Sequence, residues 1–268
     1  PRPDPSSLTP AADDVVLIVN YLGLREASVL DGVALNGAAL IIDHTHDPWS
    51  DWAREGRSDY AVASLRKTLP LPDGAVLWSP NGCTLPTAPR LTTARSQATA
   101  AKWKAMRLKG HYLAGEVVAK ADFRALAREG EARIASGEVS GMHPATAARL
   151  EGLPFAAWRR RRALNFKTLR AAMEGAAGLT ILPPSGSACA FSAFVVFDDV
   201  ARRERARAAL LEARCYPGDL WPMDSPVLDG VPDAHRELAA RSLSVPCDMR
   251  YEDADMKRVA EVVIQSVR

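Results

Sequence analysis

Tyr60-Ala61-Val62-Ala63-Ser64-Leu65-Arg66-Lys67-Thr68-Leu69-Pro70-Leu71-Pro72-Asp73-Gly74-Ala75-Val76-Leu77-Trp78 sets two apolar runs around a lysine and a turn. Tyr60–Ser64 and Ala75–Trp78 read as buried strands, and Leu71-Pro72-Asp73-Gly74 as the turn between them. The lysine comes at the end of a core strand with a hydroxyl, Ser64, three residues upstream. That placement predicts a residue that does chemistry, not one held out in solvent.

Working outward, Val15–Asn20 and Ala39–Asp43 are further strand candidates. Their runs are continuous rather than alternating, so the sheet is expected to be parallel or mixed and covered on both faces. Leu24–Leu35 has apolar residues at helical spacing and is predicted as the crossover helix between the first two strands. The fold class is therefore α/β. Thr92–Ser136 is helical in pattern; Gly137, Gly141 and Pro144 break it, and a second helical stretch runs to about Met173. Beyond Pro183-Pro184 come a strand at Cys189–Phe197, a helix at Val200–Arg214, a short strand at Ser242–Val245 and a closing helix at Asp253–Val267. These divide the chain into a partial large domain (1–91), connecting helices (92–184) and a small C-terminal α/β domain (185–268). Pro1–Pro10 is proline-rich and reads as unstructured.

With 268 residues the chain can bury a sizeable core. Its composition, 47% hydrophobic and 25% charged, is that of an ordinary soluble globular protein. A net charge of +2 argues against nucleic acid and against a membrane surface as partners. No apolar stretch reaches transmembrane length, and no signal-peptide pattern opens the chain. Cys83, Cys189, Cys215 and Cys247 have no metal-ligand spacing and read as reduced thiols, so a cytoplasmic enzyme is expected.

Asp43 ends its strand as Lys67 does, which brings a carboxylate and an amine to the carboxyl edge of one sheet, where α/β folds bind ligands. The alternative is a salt bridge between the two. The lysine chemistry that suits the layout is an imine with a carbonyl cofactor, pyridoxal 5'-phosphate. Lys67 would be the catalytic residue. Asp43 would pair with the ring nitrogen, Ser64 would hydrogen-bond the phosphate, and His46 would pack on the ring or reach its phenolic oxygen.

Asp43-x-x-His46 after an apolar strand, followed by Ser64-Leu65-Arg66-Lys67-Thr68-Leu69-Pro70-x-Pro72-Asp73-Gly74, resembles the DegT/DnrJ/EryC1/StrS family of fold-type-I aminotransferases. Arg214-Cys215-Tyr216-Pro217, Leu220-Trp221-Pro222 and the run Leu243–Tyr251 resemble that family's small-domain landmarks. The resemblance runs from about Val15 to the C-terminus. It implies a pyridoxal-phosphate enzyme, a homodimer, moving an amino group from an amino acid such as glutamate to a keto or aldehyde acceptor, often a nucleotide-linked sugar. Family members carry a longer segment before the strand matching Val15–Asn20, including the turn that cradles the cofactor phosphate. The large domain here is therefore expected to be incomplete, to be completed by a second polypeptide, or to belong to a chain that is not a working transaminase alone. Other chemistry at the same lysine (aldol cleavage or elimination) and a non-catalytic dimerising subunit are the alternative readings.

Other patterns compete. His44 and His46 form an H-x-H among carboxylates, but the remaining histidines have no ligand-like company, so no metal is expected. Ser64-x-x-Lys67 matches the S-x-x-K of serine acyl-enzymes, without the companion motifs. Trp158-Arg159-Arg160-Arg161-Arg162 spreads its arginines around a helix and reads as a solvated face or subunit contact. Arg250 is the candidate for gripping a substrate carboxylate, against a simple pairing with Asp248 or Asp253. Asn20 and Tyr21, just past the first strand, are candidates for lining the pocket.

Overall fold

The computed structural model describes residues 8–224 and 229–268. Most of the proline-rich opening, residues 1–7, lies outside the described residues. Four strands, β1 (Val15–Val19), β2 (Ala39–Asp43), β3 (Tyr60–Ser64) and β4 (Ala75–Trp78), form one sheet in the order β1-β2-β3-β4. The first two pairings are parallel and the third is antiparallel, as the short Leu71–Gly74 turn requires.

This sheet differs from its expected form in one respect: only one of its faces is well covered. Val16, Leu40 and Ile42 on the inner face are buried around Trp52, each contributing about 1.5–3 kcal/mol by leaving water. On the outer face, Val15 and Leu17 are each 61% exposed, and Ile41, Tyr60 and Val62 are half-buried. Apolar runs reported the residue types correctly, but they cannot report what lies across from each face.

The crossover from β1 to β2 is not an α-helix. Leu24–Leu35 holds a single 3₁₀ turn, Ala27–Leu30, after another at Tyr21–Gly23. Gly32 and Gly37, both at positive φ, break the helical spacing that the apolar residues suggest. Between β2 and β3, the one-turn helix α1 (Asp51–Glu55) starts at Ser50, whose Oγ accepts the Ala53 N–H at 3.1 Å.

α2 (Thr93–Leu113) and α3 (Lys120–Ala135) form an antiparallel hairpin. Its register is visible in Arg133 reaching Gln97, Lys102 reaching Glu131, and Tyr112 against Phe123. Glu131 also receives both short contacts, 2.6 Å each, from Arg66. α4 (Pro144–Glu151) is tied to the strand layer by the buried Asp73, which accepts from the His143 N–H at 3.0 Å and from the Thr146 hydroxyl.

The second layer is an antiparallel sheet of β5 (Leu179–Ile181), β6 (Ala193–Phe197) and β7 (Ser242–Val245). α5 (Phe155–Ala172), α6 (Val200–Glu212) and α8 (Asp253–Val267) pack with it around Leu169, Val195, Leu210, Leu243, Met256 and Val263. α7 (Asp233–Ala240) leads into β7. α5 and β5 precede Pro183-Pro184 and still belong to this core. Among the described residues no helix is long and apolar enough to cross a membrane.

Candidate active site at the strand ends

The two layers meet at the carboxyl ends of β1, β2 and β3. Asn20, fully buried, donates its N–H to the Asp43 carbonyl at 2.9 Å and accepts the Arg25 N–H on Oδ1 at 3.2 Å. It therefore serves as a strand-end turn. In the following 3₁₀ turn, Leu22 N–H donates to His46 Nδ1 at 3.0 Å, and Leu22 O accepts from Phe191 N–H at 2.6 Å. Gly23, at φ +65°, lies so close to the next segment that a Cβ there would meet Cys189 O at 2.5 Å. No side chain fits at this approach.

Asp43 Oδ1 accepts the Thr45 N–H at 2.7 Å, and Thr45 Oγ1 accepts the Ser64 N–H at 2.9 Å. Thr45, which the sequence reading passed over between two histidines, thus locks the Asp43 and Ser64 strand ends together. Register places Asp43 beside Val62, so Asp43 and Ser64 share the outer face of the sheet. Among the described residues neither the Asp43 carboxylate nor the Lys67 ammonium enters an ion pair, so the salt-bridge alternative is absent from the structure.

Lys67 departs from its expected burial. A 3₁₀ turn, Leu65–Lys67, starts directly after Ser64. Its three-residue period turns Leu65 inward, 3% exposed, and leaves Lys67 exposed. The lysine instead lines a cleft of about 390 Å³ between the layers, together with Arg162, Ser192, Tyr216, Ser244 and Arg250. Ser64 starts this turn and no α-helix, which removes the geometry an S-x-x-K nucleophile needs. Asp43, His46 and Ser64 are not among the residues that line the cleft; His46 meets its wall by stacking on Phe191. Tyr21 stands with Trp221, ring edge to face at 5.2 Å, and has Arg25 over it.

His46 stacks on Phe191 at 4.6 Å and tilts against Trp221 at 5.9 Å. Because Nδ1 accepts a hydrogen bond, the ring carries its hydrogen on Nε2. Burial pushes its pKa down to about 4; Asp43 opposes that shift, and Lys67 and Arg162 add to it. His44 is a core residue between Trp52 and Trp78, its ring centroid 4.9 and 5.9 Å from theirs. Burial likewise pushes it down to about 4, against Asp47 and Asp43. Among the described residues no three His, Cys, Asp or Glu side chains gather as metal ligands.

Both histidines are neutral in the folded protein, while the unfolded chain titrates at 6.5. Stability is therefore complete above pH 6.5 and falls as pH drops from 6.5 toward 4, because the unfolded chain binds the extra protons. Urea unfolding at pH 7.5 and 4.5 should differ by about 2 kcal/mol per histidine. His46→Gln should lose its share of that difference; an unchanged difference would show that His46 is not held neutral by the fold.

The arginine run divides by face. Arg160 and Arg161 are exposed, as expected, but Arg159 and Arg162 turn inward to Asp47, whose side chain is 0% exposed. Arg159 grips both carboxylate oxygens at 2.9 Å, Cys189 N–H donates to Oδ2 at 3.0 Å, and Arg162 Nη2 reaches Oδ1 at 3.4 Å. Arg250 is clamped by Asp248, with Nε and Nη2 at 2.8 and 2.7 Å. That pairing raises the Arg250 pKa, and the Asp248 carboxyl, whose burial alone would raise it, is held low by Arg250. The candidate carboxylate grip therefore already holds a carboxylate of its own chain.

At these strand ends Lys67 and Asp43 form no ion pair among the described residues, the Asp43 carboxylate is held by the Thr45 N–H alone, and the Ser64 hydroxyl lies on the same face as Asp43. An amine, a carboxylate and a hydroxyl are group types that fit a cofactor bearing a carbonyl, a ring nitrogen and a phosphate. No family model and no curated protein matches the chain. Solved structures do. The chain is similar to DesI, solved in the presence of its TDP-sugar product, at 18% identity over 99% of this chain and 66% of that one, TM-score 0.57. It is similar to 3-amino-5-hydroxybenzoic acid synthase at 15% identity, covering 98% and 69%, TM-score 0.60. To the PLP-form of Spr1654 from Streptococcus pneumoniae the figures are 10%, 95% and 68%, TM-score 0.56. The chain thus spans about two thirds of the length of DesI. At such identities the likeness is one of architecture, and the chain has the α/β fold of fold-type-I transferases.

Proposed function

We propose that this chain is the lysine-bearing part of a pyridoxal 5'-phosphate-dependent aminotransferase. It would move an amino group from an amino-acid donor, glutamate by expectation, to a keto or aldehyde acceptor of the nucleotide-sugar class. The observation that carries the reading is the placement of Asp43, Ser64 and Lys67 at the carboxyl ends of the adjacent strands β2 and β3, where neither the carboxylate nor the amine enters an ion pair among the described residues, in a fold shared with aminotransferases. DesI with its TDP-sugar product and the PLP-form of Spr1654 support the substrate class and the cofactor.

Each residue then has a task. Lys67 Nζ would hold the cofactor through its carbonyl carbon and, when free, would serve as the base that takes up and returns a proton at Nζ. Asp43, fixed by Thr45 N–H, would pair with the ring nitrogen and hold a proton there. Bound there, the cofactor supplies an electron sink for the carbon that loses its proton. Ser64 would hold the phosphate with its hydroxyl, and neutral His46 would offer Nε2–H to the cofactor. Tyr21 bounds the site on the β1 side. The open outer face of the sheet begins at Asp43 and Ser64, so the pocket is completed across that face, by a second copy in a homodimer or by another polypeptide supplying the rest of the large domain.

The test is an absorbance scan of the purified chain after addition of the cofactor. A visible band of a lysine imine is expected, shifting on addition of glutamate to the spectrum of the aminated cofactor. A band that ignores every amino donor would favour lyase or elimination chemistry, and no band at all would sink the proposal.

A further inference from the structure

Charge balance in the cleft is uneven. Asp47 is neutralised by Arg159, which holds both its oxygens, and Asp248 by Arg250, which does the same. Arg66 is taken by Glu131. Two cations on the cleft wall remain less compensated: Lys67 forms no ion pair among the described residues, and Arg162 has only a share of Asp47, the carboxylate that Arg159 already grips. Arg162 is the unusual one: its side chain is only 8% exposed. Its partners are a weak acceptor, Cys189 Sγ, 3.4 Å from Nε, and the already occupied Asp47, 3.4 Å from Nη2 and long for a charged pair. A guanidinium has five N–H donors in a rigid fork, so Nη1 and the rest of Nη2 remain for something else. A buried charge with so little compensation is expensive unless an ion of opposite sign joins it.

The wall nearby is also polar. Ser244 Oγ donates to Ser192 Oγ at 2.6 Å, and both serines are buried and line the same cleft. Ser192 keeps its own hydroxyl hydrogen for another acceptor. We infer that Arg162, with Lys67 lining the same cleft, forms an oxyanion subsite there, the place where the carboxylate of an amino acid or a phosphate group of a ligand is held. Arg162 takes this role in place of Arg250, whose fork is filled by Asp248. The subsite follows from Arg162 and the charge balance and stands whether or not Lys67 carries a cofactor.

Thermal unfolding of the full chain without cofactor tests it, with sodium L-glutamate in one arm, inorganic phosphate in another and matched chloride as control. A saturable rise of roughly 3–6 °C at tenfold over the dissociation constant is expected in at least one arm. A response to glutamate alone assigns the subsite to a carboxylate, and a response to phosphate alone to a phosphate group. Arg162→Met should abolish the rise and Arg162→Lys should weaken the affinity by about tenfold, as a single point charge replaces the fork. Arg160→Met, on the exposed face of the same helix, should keep it. Should Arg162→Met fail to fold, Lys67→Glu serves: the position is exposed, and an internal carboxylate there should remove the anion response. No response in the unaltered chain, or an equal response in Arg162→Lys and Lys67→Glu, would overturn the inference.

Discussion

Replacing Lys67 with alanine is expected to lower transamination by more than ~10³-fold while changing the unfolding free energy by less than about 0.5 kcal/mol. The two halves of this expectation rest on different observations. Lys67 is exposed, ends a 3₁₀ turn and forms no ion pair among the described residues, so the fold loses nothing with it. The proposed chemistry loses both its covalent anchor and its proton carrier. Activity would be followed by glutamate-dependent formation of 2-oxoglutarate, with the acceptor varied, in whatever assembly completes the pocket. Stability would be followed by urea unfolding of the chain itself. A variant that keeps a tenth of the activity would remove Lys67 from the mechanism. A variant that loses several kcal/mol would show that the lysine supports the turn.

Asp47→Ala is the opposite case, with a large effect on stability. It strands Arg159, Arg162 and the Cys189 N–H in a buried junction where all three now converge on one carboxylate. Breaking a buried pair from one side costs about 3–5 kcal/mol, because the remaining charge is left uncompensated. Urea unfolding at pH 7 measures it. Combining Asp47→Ala with Arg159→Met should recover part of the loss, since the second change removes one of the stranded charges. A single-variant loss under 1 kcal/mol would mean that the junction is wet enough to solvate the arginines.

How much of this was legible beforehand depends on what each element reports through its own residues. β2, β3, β4, β7 and α8 begin and end where the sequence places them, because turn residues or charges bound each run: Asp43 and Ser64 close β2 and β3, Gly74 opens β4, and Glu252 with Asp255 caps α8. β5 escaped notice, being three residues long behind Gly178. Lys67 was legible as a strand-end residue and not as an exposed one, since the inward turn of Leu65 is a backbone matter. The junction at Asp47 left a faint trace in the three-residue spacing of Arg159 and Arg162, which puts both on one helix face. What chose that face is a carboxylate more than a hundred positions away, and spacing within a helix carries no information about it. Thr45 left no trace at all, because its role lies in its own backbone N–H, given to Asp43, and in a hydroxyl oxygen that takes the N–H of Ser64 on another strand.

The pleat that divides the first sheet also decides what the chain can tolerate as it changes length. Ile42 and Ala61 are buried partners in register, and the next pair along, Asp43 and Val62, faces the other way. Deleting one residue within β2 would reverse this order. The carboxylate would turn toward Trp52 and the inner core, and an isoleucine would stand at the ligand-facing edge. A deletion of two would restore the facing while pulling Asp43 back along the strand. Length changes should therefore be absorbed more readily in the connection between Asn20 and Ala38, with its 3₁₀ turns and glycines, while the strands themselves are held to their count by the need to keep Leu40 and Ile42 in the core and Asp43 and Ser64 on the other face.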